Sequence, residues 1–143
     1  MATNFFPPTS ISISKQAYKL KKYFPYSNCN IINKGTILIW NGNIKPSELS
    51  LEYSIKINYK RNQHPNVYII SPFPLKLPKD EKKLKHVYSH EKQHLCLYYR
   101  NINEWNSTMY IADTVIPWTS EWLLHYEYWL ATDGIWNGGG IEH

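Results

Sequence analysis

Cys96 is the residue whose type and surroundings best suit covalent chemistry. A cysteine acts as a nucleophile through its thiolate, which nearby cations, histidines or a polar rim stabilise. Four such side chains lie close to it in the sequence: His86, His90, Lys92 and His94. A cysteine between Leu95 and Leu97 is equally typical of an inert core residue, because free cysteines are among the most buried residue types. The residues alone leave both interpretations open.

The segment from His90 to His94 matches a second kind of chemistry, the HExxH pattern of zinc metalloproteases. In that motif two histidines on one helical face bind zinc and the glutamate activates water. Here the residues after His94 are strand-like, Lys92 places a cation between the two histidines, and no third ligand follows at a usual spacing. We therefore expect no metal site and no cofactor, and the metalloprotease stays as the weakest alternative.

Two further patterns attract attention but favour structural roles. Cys29 has no basic or histidine side chain within its short polar segment, residues 27–30, and we interpret it as an ordinary thiol. His64, Pro65 and Asn66, called the His64 triplet below, are typical of a strand that opens after a turn. We assign no chemistry to either pattern.

The spacing of apolar residues predicts a helix at each end of the chain. Residues 12–24 predict an amphipathic first helix that Pro25 stops. Thr119 is the expected cap of a second helix, which ends near Gly134, and residues 107–115 indicate a shorter helical piece. The glycines at 138–140 predict a flexible structural tail.

Between these helices the sequence predicts an antiparallel sheet. Residues 35–40 form a β-branched and aromatic run that Asn41 and Gly42 are expected to end. Residues 49–59 alternate apolar and polar side chains, and residues 66–70 form a third strand closed by prolines. Residues 94–99 are either a fourth short strand or an extended active-site segment. We therefore predict a single α+β domain over residues 1–143.

The overall composition excludes several classes of protein. With 143 residues, 43% apolar residues and 15% aromatic residues, the chain has enough material for a packed core. Its net charge of +5 is scattered, so we do not expect a nucleic-acid partner. Apolar runs are too short for a membrane span, and residues 1–8 lack the features of a signal peptide. We therefore expect a cytoplasmic protein without a membrane partner.

Residues 68–140 contain a set of segments that together match a known family: His86-Val-Tyr88, Leu95-Cys-Leu-Tyr98, Glu104-Trp105, residues 111–118, Glu121-Trp-Leu123, Tyr126-Glu127 and residues 132–140. On these segments the chain resembles ubiquitin-conjugating enzymes, and more closely the ubiquitin-conjugating-like proteins of type II cyclic-oligonucleotide-based anti-phage signalling (CBASS) operons. The resemblance implies a ubiquitin-conjugating-like fold, with a four-stranded antiparallel sheet packed on an N-terminal helix and followed by a C-terminal helix.

The resemblance also implies roles for individual residues. In ordinary ubiquitin-conjugating enzymes a His-Pro-Asn triplet begins ten positions before the catalytic cysteine, and here that position is His86. Cys96 is then the thioester-forming nucleophile and His86 the histidine that shapes the loop. Tyr88 takes the place of the asparagine that stabilises the oxyanion, which leaves the oxyanion stabiliser open. The His64 triplet lies too far upstream to be this element.

The resemblance implies a transferase that acts in anti-phage defence. Cys96 accepts the C-terminus of a cGAS/DncV-like nucleotidyltransferase from the same operon as a thioester and passes it to an amine. This conjugation primes cyclic-nucleotide signalling. Three lysines of the first helix are candidates for docking an activating partner: Lys15, Lys19 and Lys22. The rival hypothesis is a non-catalytic scaffold that binds and regulates the nucleotidyltransferase.

Overall fold

One antiparallel sheet carries the cysteine segment. The structure is a computed structural model, and it describes residues 10–136. Within these residues six strands lie in the order β1-β2-β3-β4-β6-β5, and every neighbouring pair is antiparallel. The strands are β1 (Asn28–Ile32), β2 (Ile37–Ile44), β3 (Tyr53–Lys60), β4 (Asn66–Ser71), β5 (Val87–Ser89) and β6 (His94–Leu95).

The α+β class and the antiparallel sheet are confirmed, but the predicted number of four strands is wrong. The four predicted strands correspond to β2, β3, β4 and β6, whereas β1 and β5 were not predicted. Most of β1 is exposed at the sheet edge, so it lacks the alternation that marks a half-buried strand. At three residues, β5 is too short to show any period.

Strand β2 does not end at Asn41 and Gly42 as predicted, but continues to Ile44. The reason is a packing role for Gly42. The buried indole ring of Trp40 lies along this stretch of the strand, and a Cβ atom at Gly42 would stand 2.3 Å from it. The glycine therefore makes room for a core side chain within a strand and does not mark a turn.

Helix α1 (Ile13–Tyr23) forms where the sequence predicted it. The Ser12 side chain caps it by accepting a hydrogen bond from the Lys15 amide at 3.2 Å. Gln16 is fully buried on this helix, where its amide donates to the Met109 carbonyl at 2.8 Å and accepts from the Ile111 amide at 2.9 Å. These two bonds tie α1 to the segment that leads into the second helix.

Helix α2 (Val115–Ala131) begins earlier than predicted, so the expectation that Thr119 caps it is wrong. Thr119 is buried inside the helix, and its hydroxyl donates to the Val115 carbonyl at 2.8 Å. Pro117 fits the first turn because amide groups there have no partner within the helix. In the predicted shorter helical piece, residues Ile111–Asp113 form one turn of 3₁₀-helix.

The two helices and the inner face of the sheet enclose one cluster of buried apolar side chains. Helix α2 contributes Trp122, Leu123, Tyr126 and Trp129 to this cluster, at the apolar spacing that predicted the helix. No helix within residues 10–136 is long and apolar enough to cross a membrane. The predicted glycine tail at 138–140 lies outside the described residues.

Candidate active site

Cys96 lies immediately after the two-residue strand β6, at the start of an extended segment. Its amide donates to the His86 carbonyl at 2.9 Å, and Leu95 pairs with Val87 of β5. This hairpin brings together two positions ten residues apart in the sequence. The side chain of Cys96 is buried, with 3% of its surface exposed.

His86 supports this arrangement through its backbone. It adopts a left-handed conformation, with φ of 53°, and its carbonyl oxygen accepts a second hydrogen bond from the Trp122 indole at 3.2 Å. The imidazole ring is buried, with its centroid 5.0 Å from that of Trp136. His86 thus joins the cysteine segment to helix α2, a geometry that suits the loop-shaping role expected for it.

Tyr88 lies close enough to the cysteine to affect its titration. The interaction of its hydroxyl with the Cys96 sulfur lowers the pKa of the thiol, and the Arg100 guanidinium carbon lies 4.6 Å from the centre of the Tyr88 ring. Burial, together with the bond to Cys96, raises the pKa of Tyr88 to about 12. The phenol therefore keeps its proton at neutral pH and is available as a hydrogen-bond donor to the sulfur.

Two opposing influences act on the Cys96 thiol. Burial raises its pKa, and Glu104 adds to that effect. Hydrogen bonds with the Tyr88 side chain and the Tyr98 backbone, and the charge of Arg100, lower the pKa. Burial is the largest of these effects, so the net direction is upward. The thiol is therefore protonated at neutral pH in this conformation.

Cys96 borders a cleft of about 420 Å³, called the aromatic cleft below. Its lining includes His86, Cys96, Tyr98, Trp118, Trp122 and Trp136. Trp136 packs against Trp122, with ring centroids 5.5 Å apart. Glu121 and His125 of α2 add ionisable groups to the same cleft. The cleft therefore combines aromatic surface with ionisable groups next to Cys96.

The HExxH segment is not helical. Residues 90–93 form the turn between β5 and β6. His90 Nδ1 accepts a hydrogen bond from the Leu84 amide at 3.0 Å, whereas His94 Nε2 bonds to the Asn66 side chain at 3.1 Å. The two rings thus have separate protein partners. Residues 10–136 contain no cluster of three or more His, Cys, Asp and Glu side chains that could hold a metal ion. The helical geometry that the metalloprotease alternative requires does not form here.

The three candidate docking lysines lie on α1 and differ in their surroundings. Lys15 and Lys22 are exposed. The Lys19 ammonium group pairs with the Asp113 carboxylate and lies 4.1 Å from the centre of the Tyr110 ring. Lys19 therefore has partners within the chain, and only the other two lysines of this set present unobstructed charge on α1.

Sequence reasoning missed Arg100, and it underestimated the His64 triplet. Asn66 does open strand β4, as expected of a turn followed by a strand. The triplet also contacts the segment that follows Cys96, and one of its contacts is the bond between His64 Nδ1 and the Tyr98 hydroxyl at 2.8 Å. The pairing of β4 with β6, Val67 opposite Leu95, creates this proximity. A two-residue strand gives too weak a sequence signal to predict that pairing.

The layered sheet and helices, with a buried cysteine directly after a short strand, define an α+β domain compatible with a ubiquitin-conjugating-like fold. Its six strands differ from the four expected. Residues 16–143 match the family model described as the type II CBASS E2 protein, and the chain belongs to that family. This confirms the resemblance found in the sequence, and it places the protein among the E2 proteins of anti-phage operons. No curated protein matches the chain.

Proposed function

We propose that this protein is a ubiquitin-conjugating-like transferase in which Cys96 carries the acyl group. The observation that carries the proposal is the position of Cys96 at the aromatic cleft, where its amide bonds to the carbonyl of His86 ten residues earlier. The partner is the cGAS/DncV-like nucleotidyltransferase of the operon, whose C-terminus enters the cleft. Membership of the CBASS E2 family supports this choice of partner.

The chemistry requires a C-terminal carboxyl group that another protein has already activated as a thioester. The Cys96 thiolate attacks that carbonyl carbon, a new C–S bond forms, and the earlier thiolate leaves with its bonding electrons. An amine then attacks the Cys96 thioester, a C–N bond forms, and the sulfur leaves as the thiolate. The amine proton passes to solvent. The lowering of the Cys96 pKa by the Tyr88 hydroxyl supports Tyr88 as the hydrogen-bond donor at this centre.

The test is to co-purify the chain with the nucleotidyltransferase and an activating protein. A covalent adduct should survive non-reducing denaturation and be cleaved by added thiol. Cys96→Ala should remove the thiol-labile adduct while both proteins remain folded. If Cys96→Ala still forms it, Cys96 is not the acceptor.

One observation favours the second candidate, a scaffold that regulates the nucleotidyltransferase by binding alone. Cys96 is almost fully covered and its pKa is raised, which protects the thiol from reaction. Cys96→Ser keeps the shape of the side chain and separates the two functions. A transferase predicts lost phage protection with complex formation unchanged, whereas retained protection would establish the scaffold.

A further inference from the structure

The His64 triplet and the residues after Cys96 form a connected polar cluster. The Arg100 side chain donates through Nη2 to the Pro65 carbonyl at 3.2 Å and to Asn66 Oδ1 at 3.0 Å. Asn66 Oδ1 also bonds to His94 Nε2 at 3.1 Å. Every residue of the triplet therefore contacts the strand or segment that carries Cys96, since His64 bonds to Tyr98.

These contacts hold Arg100 in place, with its guanidinium carbon over the Tyr88 ring and 4.6 Å from the ring centre. A planar guanidinium fixed by two acceptors stacks well on an aromatic face. The His94 ring lies on the same phenol, with its centroid 5.0 Å away. Tyr88 is 39% exposed, so packing by the hydrophobic core does not immobilise it. Arg100 and His94 therefore restrict where the Tyr88 hydroxyl can point.

We propose that Arg100 is a positioning residue, which the His64 triplet anchors and which holds the Tyr88 hydroxyl against the Cys96 sulfur. The hydroxyl donates its hydrogen bond to the sulfur as the thiolate forms. The relevance of this inference to catalysis rests on the proposed function. The effect of this arrangement on the titration of the Cys96 thiol can be measured in the isolated chain, without any partner protein.

Several charged or titratable groups lie around the thiol or line the cleft beside it. They are His86, Tyr88, Tyr98, Arg100, Glu104, Glu121 and His125. Burial raises the pKa of Cys96, while the hydrogen bond from Tyr88 and the charge of Arg100 lower it. Loss of the Tyr88 hydroxyl, or of the support that positions it, should therefore raise the pKa further.

Alkylation by iodoacetamide measures this effect. The Cys96 thiolate attacks the methylene carbon, a C–S bond forms, iodide leaves, and the thiol proton passes to the buffer. The full chain is used with Cys29→Ser in every variant, and the rate is followed from pH 7 to 10.5. Tyr88→Phe should move the midpoint of the pH profile upward by about one unit. Arg100→Ala should move it in the same direction. Arg61→Ala is the matched control and should leave it unchanged, because Arg61 bonds to Ser10.

Two further variants separate positioning from charge. Arg100→Lys keeps the positive charge but loses the planar fork, so it should restore the midpoint only in part. Arg100→Ala should shift the midpoint less in a Tyr88→Phe background than in the wild type, because only the direct effect of its charge on Cys96 is then lost. Full restoration by lysine, or additive shifts in the double variant, would show that Arg100 acts through its charge alone and would overturn the proposal.

Thermal unfolding of each variant shows whether it is folded, and only folded variants are compared. If Arg100→Ala does not fold, Asn66→Ala removes one anchor of Arg100 and should raise the midpoint by a smaller amount. An unchanged midpoint in folded Tyr88→Phe and Asn66→Ala variants contradicts the positioning role even if Cys96 forms the adduct. Conversely, adduct formation by the Cys96→Ala variant would contradict the proposed function. It would not affect the alkylation result, which tests the positioning role separately. The two failures are thus distinguishable.

Discussion

The two cysteines occupy regions of opposite character. Cys29 lies on the edge strand β1, is partly exposed, and its thiol donates a long hydrogen bond of 3.8 Å to the Ala17 carbonyl. Burial raises its pKa, and only the charge of Lys21 opposes that effect. Cys96 is the more buried thiol, yet more groups lower its pKa. The polar surroundings of Cys96, and not its exposure, therefore distinguish it from Cys29 as the candidate nucleophile.

Each region also contains a buried tryptophan whose indole NH donates a hydrogen bond to a nearby residue. In the Cys29 region, Trp40 donates to the Ser27 hydroxyl at 2.9 Å. In the Cys96 region, Trp122 donates to the His86 carbonyl at 3.2 Å, and that carbonyl also accepts from the Cys96 amide. The indole NH therefore bonds to a side chain just before β1 in one region and to the backbone beside the thiol segment in the other.

The largest expected effect is on adduct formation. Cys96→Ala should reduce the thiol-labile adduct with the nucleotidyltransferase by at least ~100-fold, because no other group in the cleft replaces a thiolate. Cys29→Ala should leave the yield at the wild-type level. Non-reducing gel electrophoresis with and without added thiol measures both. Equal losses in the two variants would erase the distinction between the two regions.

The tryptophans give the next largest effect, which concerns stability. Trp40→Phe and Trp122→Phe should each lower the free energy of unfolding by about 1–3 kcal/mol, from a lost hydrogen bond and an incompletely filled core. Only Trp122→Phe should also increase the alkylation rate of Cys96. It removes one of the two hydrogen bonds to the His86 carbonyl and so loosens the backbone beside the thiol. Chemical denaturation and site-resolved mass spectrometry measure the two quantities. Faster Cys96 alkylation in Trp40→Phe would mean that the regions are coupled through the core.

The sequence allowed the part of the fold with a strong period to be predicted. Strand β3 alternates Tyr53, Ile55, Ile57 and Tyr59 toward the core, and α1 follows its apolar spacing between Ser12 and Pro25. Gly42 misled the prediction because its turn-like pairing with Asn41 serves the packing of Trp40. The start of α2 was misplaced because Thr119 bonds inside the helix, where a threonine has no cap function.

The candidate site was predictable only where its residues lie near one another in the chain. His86, Tyr88 and Cys96 belong to one hairpin, and their spacing was visible. Arg100 and Asn66 meet through the short pairing of β4 with β6, which local sequence patterns do not encode. The cleft that Cys96 lines together with residues of α2 is likewise a tertiary feature. The missing parts therefore share one cause, the dependence on contacts between distant segments.

The two thiols should each make the stability of the folded protein depend on pH, to a moderate extent and in the same direction. Folding raises both pKa values, so the folded state retains the protons more tightly than the unfolded state. The resulting stabilisation is present below the unfolded thiol pKa of about 8.5 and is lost as the pH rises through the folded values. Cys29→Ser and Cys96→Ser should each flatten the decline in melting temperature between pH 8 and 10.

Thermal unfolding across that range, with the double Cys29→Ser, Cys96→Ser variant as reference, measures this prediction. A steeper decline for either single serine variant would mean that the corresponding thiol has a lowered pKa in the folded protein. For Cys96 that result would contradict the protected state that supports the scaffold alternative. It would also mean that a larger fraction of Cys96 is thiolate, the nucleophilic form, at neutral pH.

The smallest effect on stability should come from the exposed lysines of α1, which lies beside Cys29 and not beside Cys96. Lys15→Glu and Lys22→Glu should change the melting temperature by less than about 2 °C, because both side chains are exposed. If α1 docks an activating protein, both charge reversals should nevertheless reduce the Cys96 adduct, and the reduction should weaken at high salt. Lys34→Glu, in the turn after β1, provides a matched exposed control. An unchanged adduct in the two α1 variants would remove α1 as the docking surface and leave the Cys29 region with a structural role alone.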